Sequence, residues 1–203
     1  MSPRRRTLDD DKIFHAVRRA IGRAGPDKLT LGDVAAEVGL APATLIQRFG
    51  SKRKLLLAYA GWRAKYVTGV LNELIDGVSD AAPLGDIIAT LLEQTVDLSS
   101  TTTIVNHVAA FQFELADAEF RSRAAYYAKG VVDAIVVSLQ MAQQAGELRS
   151  DDELKPLAYL IYFTFVGALV TWVVEQQGPV RPWVTRAVDL VLAPYRTERP
   201  AGR

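Results

Sequence analysis

Between Thr30 and Lys52 the sequence reads TLGDVAAEVGLAPATLIQRFGSK, two short helical patterns separated by only a few residues. No other feature constrains the fold as tightly. Thr30 precedes an apolar-periodic run and has Asp33 three residues on, a relative of the capping box that starts a helix. Gly39 ends that run. Gly-Leu-Ala then leads to Pro42, which suits the first turn of a helix, where a missing N–H costs little. Gly50 closes the second pattern, and Ser51 is placed to cap the next. Two helices joined this closely need a residue with positive φ in the turn, and glycine adopts it without steric cost. Ala35 and Ala36 are small enough for the helices to cross closely. The predicted unit is a helix-turn-helix.

Within its second helix, Leu45 and Phe49 share a side, predicted to join a core with Val34, Val38 and Leu40 and with Phe14 and Val17 upstream. Pro42, Ala43, Thr44, Gln47 and Arg48 are left facing out. Such a face offers donors and acceptors to a groove: Gln pairs bidentately with adenine, and Arg reads guanine or neutralises a phosphate. Thr44 and Lys52 are of the phosphate-contacting type, which positions without specifying. Charge is distributed accordingly. The net charge is only +1, yet residues 1–54 hold 12 Lys+Arg against 6 Asp+Glu, and residues 55–203 hold 12 against 17. A basic head on an acidic body is the pattern of a head that meets a polyanion. Arg4, Arg5 and Arg6 fit an arm that follows a DNA backbone or enters a minor groove, and fit a solvated tail as well.

Helical periodicity continues through the remainder, while strand-type alternation is scarce, so the fold class is all-α. Upstream of the motif, DDDKIFHAVRRAIGRAG puts Ile13, Phe14, Val17 and Ile21 on one side. Downstream, helices are predicted over 52–78, 84–98, 102–115, 118–145, 154–177 and 182–193, with a loose tail after Pro194. That makes nine helices, divided into a head of residues 1–52 and a bundle of residues 53–203.

The stretch from Leu157 to Val174 is 18 residues without a charge. At the helical rise it spans ~27 Å, close to a minimal membrane crossing. Burial inside protein accounts for it better: Thr164, Gly167 and Thr171 interrupt it, and no basic cluster flanks it. The absence of cysteine excludes disulfides, thiolate metal sites and a cysteine nucleophile, and fits a reducing compartment. The N-terminus has charge but no apolar stretch of signal-peptide type, so the expected location is cytoplasmic, with no membrane partner. Catalysis is not expected. Gly77-Val78-Ser79-Asp80-Ala81 only loosely echoes a nucleophile elbow, which needs a strand before it. His15 and His107 have no His/Glu partners at zinc spacing, and no cofactor or metal is expected.

The segment TLGDVAAEVGLAPATLIQRFGSKRKLL resembles the DNA-binding signature of TetR-type (tetracycline-repressor-like) transcriptional regulators. Thr30, Val34, Ala35, Gly39, Thr44, Leu45, Phe49, Lys52 and Leu55 match the family pattern as they stand. Ala41 replaces the usual Ser, Ile46 the phosphate-contacting Tyr, and Arg48 the His. The resemblance implies a homodimer that binds a pseudo-palindromic operator in double-stranded DNA and is released by a small molecule, most often as a repressor. The DNA-facing set would be Thr30, Pro42, Ala43, Thr44, Gln47, Arg48, Ser51 and Lys52. It further implies that the eighth and ninth helices build the dimer. The residues expected there are Leu157, Ile161, Thr164, Ala168 and Thr171, with Trp183, Val184, Ala187 and Val191. An effector pocket would lie among the fourth to eighth helices. Polar or aromatic residues inside apolar stretches are its candidates: Trp62, Tyr66, Asn106, His107, Phe111, Tyr127 and Phe163, each of which also fits as core or surface. The aromatic lining points to a largely apolar or aromatic effector. The alternative is a membrane-associated or small-molecule-binding helical protein without specific DNA binding.

Overall fold

The computed structural model describes residues 9–77, 84–151 and 153–197. Among them are nine α-helices and no named strand: α1 (Asp10–Lys28), α2 (Leu31–Glu37), α3 (Pro42–Phe49), α4 (Lys52–Asp76), α5 (Leu84–Glu93), α6 (Thr101–Leu115), α7 (Ala118–Gln144), α8 (Leu154–Glu175) and α9 (Val180–Leu192). Val78 to Ala81 of the elbow-like stretch, Arg4 to Arg6, and the tail from residue 198 lie outside the described residues.

Local chemistry sets the ends of these helices. Ser51, Ser100 and Asp117 cap α4, α6 and α7 through their side-chain oxygens. Several boundaries differ from the sequence expectation, most by a residue or two, and three of the differences have a visible cause. α5 stops at Glu93 instead of running to Leu98: the Thr95 hydroxyl donates to the Leu92 carbonyl at 2.6 Å, and Asp97 accepts from the Ser99 N–H at 2.9 Å. Side chains that bond the local backbone in this way compete with helix continuation. α9 starts at Val180, two residues before Pro182, because proline is tolerated within a first turn. The tail is pinned rather than loose as far as Thr197. Arg149 N–H donates to the Tyr195 carbonyl and Thr197 N–H to the Glu147 carbonyl, both at 3.0 Å, which lays the segment against the α7–α8 turn.

Two apolar clusters form. One holds α1, α2 and α3 on the first turns of α4, with Ile13, Val17, Leu29, Val34, Leu45 and Leu55 fully or almost fully buried. Burying a side chain such as Leu45 contributes roughly 1.5–3 kcal/mol. Ala110 of α6 and Phe120 of α7 belong to the same cluster, so the head is seated on the body with no linker, and packing continues across residue 52. The second cluster joins α4, α5, α7, α8 and α9 around Leu71, Ile88, Ile135, Leu139, Ile161, Val188 and Leu192.

α8 is long and apolar enough by length and composition to cross a membrane. In the fold it is a core helix on one side only. Leu157, Ala158, Ile161, Phe165, Ala168, Leu169 and Trp172 are buried. Leu160, Phe163, Val170 and Val174 on the other side are exposed.

Candidate nucleic-acid face and effector cavity

The helix-turn-helix is built as its residues dictate. Thr30 and Asp33 close a full capping box: Asp33 accepts from the Thr30 N–H at 2.7 Å, and Thr30 Oγ1 accepts from the Asp33 N–H at 3.2 Å. Gly39 takes φ 67°, and the Leu40 N–H returns to the Ala35 carbonyl at 2.8 Å to fix the turn. Ala41 supplies no side-chain cap to α3, and Pro42 occupies its first turn. Leu45 is fully buried, and the Phe49 ring packs on Phe14 at 5.9 Å. Pro42, Ala43, Ile46, Gln47 and Arg48 are exposed, with Thr44 half-buried beside them. The second helix therefore has one anchored side and one open side.

The open side is not uniformly free of internal ties. Arg48 is ion-paired with Asp10 at the start of α1, at 2.7 Å. Lys52 Nζ donates to the Asp27 carbonyl at 2.8 Å, joining the end of α1 to the start of α4. Thr30 Oγ1 donates to Asp33, and Ser51 accepts from the Lys54 N–H at 3.2 Å. Gln47 enters no hydrogen bond among the described residues. Part of the basic surplus is used within the fold. Arg19 and Arg23 both pair with Glu37, and Arg53 pairs with Asp117 and Glu119 at 2.7 and 2.6 Å. Ile46, half exposed at 50%, lies on the same open side; the family resemblance sets a phosphate-contacting Tyr at this position, and the DNA-facing set read from sequence leaves Ile46 out.

A cavity of ≈ 760 Å³ opens between α6, α7 and α8, with Arg63 of α4 and Thr95 and Val96 of the α5–α6 turn in its wall. Its lining is mainly apolar, with Ile104, Val108, Phe165, Val166, Leu169 and Val170 among it. Of the candidates read from sequence, His107, Phe111, Tyr127 and Phe163 line it. The other three lie elsewhere. Trp62 stacks on Tyr66 at 4.7 Å and donates to Asp11 at 2.8 Å, and His15 meets both rings edge-on. Asn106 points to the head and donates to the Gly22 carbonyl of α1 at 2.8 Å.

The cavity's polar end was not anticipated. Arg63 donates to Glu114 at 2.9 Å, and its guanidinium lies 4.4 Å over the Tyr127 ring. Burial alone would push the guanidinium down, but Glu114, Tyr59 and Tyr127 around it hold it above its ordinary value. The Tyr127 hydroxyl donates to the Thr95 carbonyl at 3.2 Å, and burial raises its pKa. Burial likewise pushes the Tyr162 hydroxyl up to about 12. His107 Nδ1 sits 2.8 Å from the Thr103 carbonyl, and burial depresses the imidazole. A neutral ring donating from Nδ1 leaves Nε2 as an acceptor. The sequence signal was a charge inside an apolar run, as Glu114 is in AAFQFEL.

The residues expected at a dimer seam divide by burial. Leu157, Ile161, Ala168 and Val184 are buried in this chain's own core. Trp183, half-buried, donates to the Ala168 carbonyl at 3.1 Å and so ties α9 to α8 within one chain. Ala187, Val191 and Thr164 are half-buried, and Thr171 is exposed. Its hydroxyl donates to the Gly167 carbonyl at 2.8 Å. The apolar arc that stays open is centred on Leu160, Gly167, Val170 and Val174, with Leu190 of α9 exposed as well.

Residues 13–59 match the family model described as bacterial regulatory proteins, tetR family. No curated protein sequence matches the chain. Solved structures share its fold at low identity. SmeT, the repressor of the Stenotrophomonas maltophilia multidrug efflux pump SmeDEF, is 20% identical with a TM-score of 0.65, covering 97% of this chain and 96% of that one. A putative transcriptional regulator from Saccharomonospora viridis, solved with choline, is 17% identical with a TM-score of 0.73, covering 94% and 98%. FadR from Bacillus subtilis, solved with stearoyl-CoA, is 18% identical with a TM-score of 0.65, covering 91% and 98%. With its turn glycine, capping box and open α3 side in place, residues 13–59 are similar to the helix-turn-helix head of the tetR family of bacterial regulatory proteins, and the chain as a whole shares the all-helical fold of these solved structures.

Proposed function

We propose that the protein is a ligand-responsive transcriptional regulator, most simply a repressor, that binds a pseudo-palindromic operator as a homodimer and is released by a small, largely apolar molecule. The observation that carries this reading is the α3 helix: anchored by Leu45 and Phe49, it keeps Gln47, Thr44 and Ile46 open on one side. Gln47 suits adenine, and an exposed Ile46 offers apolar contact to a thymine methyl group. Thr44, Ser51 and Lys52 suit phosphates; Thr30, Pro42, Ala43 and Arg48 border the same face. The head comprises residues 1–52 and the effector and dimer portion residues 53–203. The open apolar arc of α8, with α9 beside it, supports self-association, and a twofold dimer sets its recognition helices one DNA turn apart, ~34–36 Å, or at a related spacing. The cavity of ≈ 760 Å³ lies within the ordinary size range for a small-molecule site. SmeT is described as a repressor, and FadR and the Saccharomonospora viridis protein were solved with small molecules bound, which agrees with this reading. A regulator of this kind has no catalytic step and works in the cytoplasm.

Selection of genomic fragments with the purified protein tests the proposal. One palindromic site should be enriched and bound far more tightly than random duplex at physiological salt. Equal affinity for both would end the operator reading.

A further inference from the structure

We infer that the cavity between α4, α6, α7 and α8 takes an amphipathic anion, an apolar body ending in one carboxylate or similar acidic head, with that head seated against the Arg63 guanidinium. This rests on the reading of the chain as a ligand-gated regulator and adds the chemistry of the ligand. The wall is mainly apolar and accommodates the body. The charged residues that line it are Arg63, Arg121 and Glu114, so the lining carries one positive charge more than negative.

The three ligand classes separate at Arg63. A quaternary ammonium needs an open aromatic face and a carboxylate to spare. The Phe111 and Phe163 rings also line the cavity, but its one lining carboxylate, Glu114, is held by Arg63 at 2.9 Å, and the Tyr127 face beside that carboxylate is taken by the guanidinium at 4.4 Å. A neutral apolar molecule leaves the buried Arg63 Nε, which has no hydrogen-bond partner, as it is. Leaving such a donor unmet in a dry site is unfavourable. An acidic head offers that donor an acceptor once the guanidinium turns from Glu114 toward the cavity, and it matches the forked geometry of a guanidinium. It enters in competition with Glu114, the one acceptor that Arg63 uses among the described residues. Arg63 stands on α4, which runs directly from the recognition helix, and Glu114 on α6. The ligand would thus loosen the ion pair that ties these two helices together.

Calorimetric titration of the full chain with decanoate, decanol and decyltrimethylammonium, all below micelle formation, tests the charge preference at constant chain length. Decanoate should bind about tenfold more tightly than the other two. Glu114→Gln removes the competing carboxylate and should tighten decanoate further. Arg63→Met combined with Glu114→Gln removes both charges together, strands neither, and should abolish the preference. If the double variant fails to fold by circular dichroism, the single Glu114→Gln variant decides. Equal or tighter binding of the alcohol or the ammonium, binding of none of the three, or no tightening by Glu114→Gln overturns the inference. Operator affinity is measured separately, so its loss would strike the regulator reading and leave the ligand's charge decided by calorimetry.

Discussion

Gln47 near the end of α3 and Lys52 at the start of α4 lie on either side of the Gly50 break, and their surroundings suit them to different proposed roles. Gln47 is exposed with both ends of its amide open, whereas Lys52 already donates to the Asp27 carbonyl and has further donors to offer. Gln47→Ala should cost ~1–3 kcal/mol at the preferred site and relax base preference at one position. Lys52→Ala should weaken binding to every duplex and lower the salt slope by about 1. Binding isotherms over a series of salt concentrations and single-base operator variants separate the two; a uniform loss for both would collapse the distinction. At this scale the sequence was legible where a residue's partners are close along the chain. Thr30 with Asp33, Gly39 and Ser51 act as their spacing predicts. It was not legible for Arg48, whose partner Asp10 belongs to another helix. Nor was Arg63 legible, because its importance comes from Glu114 fifty-one residues away.

The α8 helix shows the same limit in an element. A run apolar on every side announces burial but not which arc faces inward, because no polar stripe marks the outside. The helix turns Leu157, Ile161 and Ala168 to its own core and leaves Leu160, Val170 and Val174 open. Packing against α7 and α9, invisible in the pattern, made the choice. The distinction decides how a dimer is tested. Trp183→Glu would cut the internal bond to Ala168 and disturb the single chain as well as any seam. Leu160→Glu with Val174→Glu changes only exposed positions, 44% and 79% accessible, and should leave helicity and the melting midpoint within a few degrees of the parent. Two carboxylates buried without partners in a seam are strongly unfavourable, so sedimentation should show monomer where the parent is dimeric. A variant that stays dimeric would move the contact away from α8.

Across the whole molecule, α6 lies between the cavity and the head. His107 and Glu114 face the cavity, and Asn106, one residue from His107, donates to the Gly22 carbonyl of α1. Close beside that bond α1 departs from helical geometry at Gly25, φ 77°, where the Asn106 amide would touch an added Cβ at 3.1 Å. Any molecule that binds the cavity differently in the DNA-competent and DNA-incompetent states shifts their balance, and it needs nothing else to act as an effector. Thermodynamic linkage then makes a firm demand: if the effector weakens operator binding by some factor, typically 5–150-fold, the operator must weaken effector binding by the same factor. Asn106→Ala removes the α6–α1 bond without touching the cavity wall. It should leave effector affinity of the DNA-free protein nearly unchanged while bringing the coupling factor closer to one. Paired titrations measure this, effector into protein with and without saturating operator, and operator into protein with and without saturating effector. Unequal factors in the parent would mean that the effector acts other than through a shared equilibrium. An unchanged factor in Asn106→Ala would put the connection elsewhere, with the Arg63–Glu114 tie between α4 and α6 as the remaining route.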